Sequence, residues 1–291
     1  MAAVLGTNMA SVWASKNLRT AQNDMASSVE RLSSGVRINR AKDDAAGLAI
    51  SNSLTQQING SNQGVKNLND GISIVQTAEG AIAAASEMAQ RVLTLATQAA
   101  NGTMSSTQRV ALADEMKSLW DSIGKIQTRT KFSGFSLLDA SADITIVASN
   151  VATDSITISS TTALESIHQS SGGTSGSTGV GLMEYAITTA DASTTPAASI
   201  FTDVVTAANG YITYLDKQRA TLGAVQNQLE YSIENVATLS ANLTAARSQV
   251  IDTDYATETA SLTKGQILQQ AATAMLAQAN QMPNVILSLL K

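Results

Sequence analysis

Leu268, Ala272, Met275, Ala279, Met282, Ile286 and Leu289 follow one another at alternating steps of four and three residues. That spacing predicts a helix with an apolar seam down one side. The stretch that holds it, ILQQAATAMLAQANQMPNVILSLLK at 267–291, carries no charge before Lys291. Leu276, Val285, Leu287 and Leu290 fall on other faces, so the helix calls for more than one neighbour. Pro283 removes a backbone donor and predicts a bend or a weakening near Ala279. At the other end of the chain, Leu18, Ala21, Met25, Ser28 and Leu32 keep a 3–4 spacing over a helix that stops at Gly35.

Between these ends the pattern predicts long rods. The charged stretch RINRAKDDAAG, from Arg37, reads as a connector. A second helical tract runs from about Asp44 to Ala100, phased by Val65, Leu68, Ile72, Val75, Ile82, Ala89, Leu93 and Ala96, until Asn101-Gly102 breaks it. Ser105-x-x-Gln108 reads as a capping box. It opens a helix phased by Leu112, Met116, Leu119, Ile123 and Ile126, which ends near Lys131, before Ser133-Gly134. From about Ile200, the positions Val204, Ala208, Tyr211, Leu215, Leu222, Val225, Leu229, Ile233, Val236 and Leu243 hold a near-heptad phase. IDTDYATETASLTKGQ then separates this rod from the closing helix.

The texture changes between residues 139 and 199. Ser and Thr supply 23 of these 61 residues, too polar a segment to bury a large core of its own. Ile144-Thr145-Ile146 and Ile156-Thr157-Ile158 alternate as short strands do, and SSGGTSGSTGVG reads as loop. The fold class is therefore mainly α: long antiparallel coiled-coil rods, paired terminal helices and a small β- and loop-rich central insertion. The segments are 1–43 (terminal helix and connector), 44–138 (rod), 139–199 (exposed insertion), 200–255 (rod) and 256–291 (terminal helix).

The terminal helices raise a problem of stability. Ordering a backbone costs roughly 1–2 kcal/mol per residue, and a seam rich in Ala returns less than that. Pairing the two ends covers one face and leaves others bare. Copies of the same chain supply the missing neighbours, so the pattern predicts self-assembly, with the ends ordered only inside a polymer.

Composition narrows the chemistry. Net charge is −5 with only 18 Lys and Arg, which is no footprint for nucleic acid. Aromatics are 3% and prolines two, as in a chain of long helices. There is no cysteine, so thiol chemistry is excluded. The first residues lack the basic region of a secretory signal, and no stretch reaches the roughly 18 apolar residues of a spanning helix. His168 is the only histidine, which rules out a two-histidine zinc motif. No nucleophile elbow is present, and the sequence implies no enzyme, metal or cofactor. In the connector, Arg37, Arg40 and Lys42 are expected to pair with Asp43, Asp44 and acids of neighbouring copies. Asp252 and Asp254 read as caps, and Trp13 and Trp120 as packing residues.

Four stretches, ERLSSGVRINRAKDDAAGLAI (30–50), NDGISIVQTAEGAI (69–82), ARSQVIDTDYATETASLTKGQILQQA (246–271) and MLAQANQMPNVILSLLK (275–291), closely resemble bacterial flagellin. The likeness spans about 1–138 and 200–291 and fails in the middle. It implies a subunit of the extracellular flagellar filament, a propeller for swimming, exported without a cleaved signal peptide through the flagellar type III apparatus. It implies a filament core built from the terminal helices, here with Leu18, Met25, Leu32, Leu268, Met275, Met282, Ile286 and Leu289 as the assembly seam. It also implies rods that switch between two packings, a shortened surface region open to O-glycosylation, and, as partners, an export chaperone, the filament cap and the hook-junction proteins. In receptor-stimulating flagellins a Toll-like receptor 5 epitope aligns with Arg91, Leu95 and Glu115. The rival readings are a hook–filament junction protein, which shares these ends, and a membrane-active type III translocator.

Overall fold

A computed structural model of the chain describes residues 8–138, 143–151, 153–159, 167–168, 187, 189 and 197–289, with side chains to residue 281. The elements are α1 (Met9–Ser34), α2 (Ala45–Ala99), α3 (Ser106–Arg129), β1 (Lys131–Phe132), β2 (Phe135–Ser136), β3 (Ile144–Val147), β4 (Ser155–Ile158), α4 (Ala198–Ile251) and α5 (Tyr255–Leu289). The fold is mainly α with two small hairpins. It divides into two compact units, Met1–Ile58 with Ala241–Lys291, and Asn59–Ser240. Both divisions fall inside helices, α2 and α4.

In the unit Asn59–Ser240, three helices contribute heptad-spaced seams to one core. Leu68, Val75, Ala78, Ile82, Ala85, Ala89, Val92, Ala96 and Ala99 come from α2. Ala113, Met116, Trp120 and Ile123 come from α3, and Phe201, Val204, Ala208, Tyr211, Leu215, Leu222, Leu229 and Val236 from α4. Helices α2 and α4 run antiparallel. Arg219 of α4 pairs with Glu79 of α2 at 3.6 Å, and the Ser240 hydroxyl donates to Asn62 Oδ1 at 2.9 Å. The capping box at Ser105 and Gln108 opens α3 with both reciprocal bonds in place. On α3 the seam is turned slightly from its predicted phase. Trp120 and Gln127 are buried, while Leu112 and Leu119 are only partly so.

That rotation has a cause in the insertion. Gln127 Oε1 accepts the backbone N–H of His168, and the imidazole lies against Trp120 with ring centroids 4.7 Å apart. Tyr211 closes the group, edge-on to Trp120 at 5.3 Å and donating its hydroxyl to the carbonyl of Ile167 at 2.8 Å. Burial drives the Tyr211 phenol far above its ordinary pKa, so it stays a neutral donor. Ile167 and His168 thus anchor the insertion to α3 and α4.

The hairpins follow the sequence signals. Ser133 and Gly134 turn β1 into β2 with φ of 50° and 89°, the left-handed pair that a two-residue hairpin loop demands. Strands β3 and β4 pair antiparallel, Ile144 opposite Ile158 and Ile146 opposite Ile156. This hairpin lies on α2 where glycines leave room. A Cβ on Gly64 would sit 1.7 Å from the carbonyl oxygen of Ala148, and one on Gly71 2.3 Å from Ile146 Cδ1. Asn67 Nδ2 donates to the Val147 carbonyl at 3.0 Å and fixes the register. Gly80, on the same helix, has nothing near its Cβ position.

The two glycines predict opposite outcomes. Gly64→Ala should destabilise this unit by about 1–3 kcal/mol, because backbone must move. Gly80→Ala should stabilise it by about 0.5–1 kcal/mol through helix propensity. Urea midpoints of the two variants should move in opposite directions from the parent; equal shifts would show that the hairpin is not seated on α2.

Candidate functional site

Helices α1 and α5 pack antiparallel in the unit Met1–Ile58 with Ala241–Lys291. The α1 seam consists of Ala14, Leu18, Ala21, Met25, Ser28 and Leu32, with Ala14, Ala21 and Ser28 buried and the larger three half-buried. The α5 seam consists of Glu258, Leu262, Gly265, Gln269, Ala272, Leu276 and Ala279, at the same alternating steps. The backbones come close because the central residues are small. A Cβ on Gly265 would sit 3.4 Å from Met25 Cβ.

Within a single chain the α1–α5 contact shares only part of the predicted assembly seam on α5. Ala272 and Ala279 belong to it, but Leu268 and Met275 are 47% and 60% exposed, and Leu276, assigned to another face, takes part. The physical reason is size: the tightest approach selects Gly and Ala, and the bulkier residues are turned aside. For Met282, Ile286 and Leu289 the side chains lie outside the described residues. The α5 backbone remains helical through Pro283 to Leu289.

Polar groups hold the register at both ends of the pair. Asn8 caps α1 by accepting the Ser11 N–H at 3.2 Å, and its Nδ2 donates to the Ala279 carbonyl at 2.7 Å. The Ser11 hydroxyl meets Asn280 Oδ1 at 3.1 Å. At the far end Arg31 approaches Glu258 at 3.7 Å, partly buried between the helices. Glu258 was legible in the sequence, since stepping back by sevens from Ala279 through Ala272 and Gly265 reaches it.

The connectors form a joint. Gly35 ends α1 with φ of 73°. Val36 then bridges to Asp252, with Arg37 N–H donating to the Ile251 carbonyl at 2.6 Å and Thr253 N–H to the Gly35 carbonyl at 3.1 Å. The expected ion pairs inside the connector do not form among the described residues. Arg37 donates to the Val250 carbonyl at 2.7 Å, Arg40 pairs with Glu30 at 2.7 Å, and Lys42 is exposed. Asp43 accepts the N–H groups of Asn39 and Arg40, and Asp44 accepts that of Gly47 at the start of α2. Unpaired backbone donors at a turn and a helix start claim these carboxylates first. Asp254 plays the same part for α5. The Thr257 hydroxyl, then the Ala256 and Thr257 N–H groups, hold its carboxyl below the usual range. This cap is present above the ordinary aspartate pKa and is lost as pH falls through the lowered one.

Beside the seam the pair presents an apolar face. Met9, Val12, Trp13, Ile267, Leu268 and Met275 are all more than 45% exposed. Met9, Trp13, Leu268 and Met275 line a groove of about 590 Å³ floored by Ala10, Ala14, Ala271 and Ala272. Lys16 Nζ lies 5.3 Å from the centre of the Trp13 ring. Exposed apolar surface of this kind marks a binding face.

The three candidate receptor residues part company. Arg91 and Glu115 pair on the rod surface at 2.8 Å, whereas Leu95 is 1% exposed in the core. The heptad phase of α2 turns Leu95 inward, so it cannot be touched from outside in this conformation.

Family models agree with this layout. The bacterial flagellin N-terminal helical region matches residues 5–143, and the C-terminal helical region matches residues 205–290. This chain belongs to the bacterial flagellin family. The flagellin of Bacillus subtilis is 40% identical across 94% of this chain and 95% of its own. That of Halalkalibacterium halodurans is 37% identical across 99% and 100%. A solved Vibrio parahaemolyticus chain assigned to the flagellar hook-associated proteins shares the fold, with a TM-score of 0.59, at 12% identity, across 72% of this chain and 100% of that one. The chain is therefore a structural subunit of the extracellular flagellar filament, not an enzyme by family. The junction-protein reading is not favoured, because both family models are flagellin and the hook-associated likeness speaks to fold alone. No helix among the described residues is long and apolar enough to cross a membrane, as the translocator reading would need.

Proposed function

We propose that the apolar face of the α1–α5 pair is the surface by which flagellin subunits hold one another in the filament. The observation that carries this is the division of labour along the two helices. Small residues meet inside the pair, while Met9, Trp13, Leu268 and Met275 are exposed along one groove. A second copy of the chain offers the same apolar side chains in return. Leu18, Met25 and Leu32 set the spacing of the pair that presents them.

The same face explains the finer partnerships. A chaperone covers α5 before export, and the cap and hook-junction proteins meet the ends of the growing polymer through this pair. Export proceeds without a cleaved signal peptide. Toll-like receptor 5 would meet only Arg91 and Glu115 of the predicted epitope.

The double variant Leu268→Glu with Met275→Glu tests the reading. Each side chain buried in the polymer is worth roughly 1.5–3 kcal/mol, so their loss should raise the critical concentration for polymerisation at least about a hundredfold. The urea midpoint of the unit Asn59–Ser240 should not move. Filaments forming at the parent's critical concentration would show that this face is not the contact.

A further inference from the structure

The turn between α2 and α3 carries chemistry that lies outside the α1–α5 pair. The sequence holds three Asn-Gly pairs, at Asn59, Asn101 and Asn209. Asn59-Gly60 lies within α2 and Asn209-Gly210 within α4, where the helical ladder holds each glycine nitrogen away from the preceding side chain. Asn101-Gly102 lies outside any helix, is exposed, and has open space around Gly102.

Three hydrogen bonds prepare Asn101 for reaction. Its Oδ1 accepts the Thr103 N–H at 3.2 Å, an Asx-type turn that polarises the side-chain carbonyl. Its backbone carbonyl accepts the Met104 N–H at 3.2 Å and Arg109 Nη2 at 3.0 Å. Arg109 is itself braced by Nε donating to the Ala99 carbonyl at 3.0 Å, the last residue of α2.

We infer that Asn101 is a self-modification site, at which flagellin converts this residue to isoaspartate without an enzyme, directed by Arg109. The Gly102 nitrogen attacks Asn101 Cγ, and a C–N bond forms. The Cγ–Nδ2 bond breaks, and ammonia leaves with the proton from the Gly102 nitrogen. Water then opens the cyclic imide. Attack at the former backbone carbonyl breaks its bond to the Gly102 nitrogen and yields isoaspartate; attack at Cγ yields aspartate. The net change is amide plus water to carboxylic acid plus ammonia. Arg109 selects between the two openings. It already donates to the backbone carbonyl, which becomes the free carboxylate only in the isoaspartate product. The bond from the guanidinium to a neutral carbonyl thereby becomes an ion pair with a carboxylate. The result is a new negative charge at the α2–α3 corner that accumulates with the age of an exported subunit.

Incubating the full-length protein at mildly alkaline pH tests this. Peptide mass spectra should show the amide-to-acid change in the peptide between Arg91 and Arg109, and none at Asn209, although Asn209 is also exposed. Isoaspartyl methyltransferase labelling should find isoaspartate in excess over aspartate. In Arg109→Gln that excess should fall severalfold, and in Arg109→Lys only partly. Equal conversion at Asn101 and Asn209, or no conversion at Asn101, overturns the site, and that comparison needs no variant. An unchanged isoaspartate share in Arg109→Gln overturns the directing role.

Discussion

A chain ending at Gln266 should not polymerise at any accessible concentration, while its unit Asn59–Ser240 melts as before. The truncation removes Gln269, Ala272, Leu276 and Ala279 from the α5 seam and Leu268 and Met275 from the outward groove. On α1 it uncovers Ala14 and Ala21 and leaves Asn8 and Ser11 without Ala279 and Asn280. Each lost apolar contact in the polymer counts for roughly 1.5–3 kcal/mol, and every 1.4 kcal/mol is about tenfold in affinity. Several together exceed any concentration the experiment can reach. None of these residues contributes to the core around Leu68, Ile82, Trp120 and Tyr211. Light scattering should therefore stay flat while the thermal transition of the rods is preserved. Normal filaments from the shortened chain would remove α5 from the assembly mechanism.

Trp120→Ala should have the largest effect on the rods, about 3–5 kcal/mol of lost stability. Trp120 is 3% exposed and sits between His168 of the insertion and Tyr211 of α4. The substitution leaves a cavity where α3, α4 and the insertion meet. It also deprives the imidazole of the ring it rests on, so the Ile167–His168 anchor should loosen with the core. Urea denaturation would show the drop in midpoint, and tryptic cleavage near the insertion should accelerate in parallel. A loss under about 1 kcal/mol would mean that the site repacks and the aromatic group is not a keystone.

Most of the rods were legible because their large apolar residues and their seams coincide. Val75, Ile82, Met116, Ile123, Leu215 and Leu222 are both conspicuous in the sequence and buried in the structure. The caps were legible for a different reason: Ser105 with Gln108, and Gly35, are short-range signals that need no tertiary partner. On α5 the inner contact and the predicted assembly seam coincide only in part. That helix is apolar on several sides, so following Leu and Met traced the outward surface at Leu268 and Met275. The inner seam follows Gly265, Ala272 and Ala279. In the connector the carboxylates found other partners within the chain. Adjacent opposite charges invite pairing on paper, but backbone donors at Arg40 and Gly47 took the carboxylates of Asp43 and Asp44. Nothing local marked Gln127, whose partner is a backbone N–H forty-one residues away in sequence.

The inner seam also bears on when the terminal helices are ordered. Ala14, Ala21, Ser28, Gly265 and Ala279 bury little apolar area, while the side chains with most to gain from burial, Trp13, Met275 and Leu268, remain in water. A pair so built is marginal alone and firm only when other copies cover its outer face. Amide hydrogen exchange on dilute monomer and on filament is the direct measurement. Residues 9–34 and 255–281 should exchange within seconds in the monomer and become strongly protected in the filament, while Leu68–Val92 is protected in both. Strong protection of both terminal helices in the dilute monomer would contradict it.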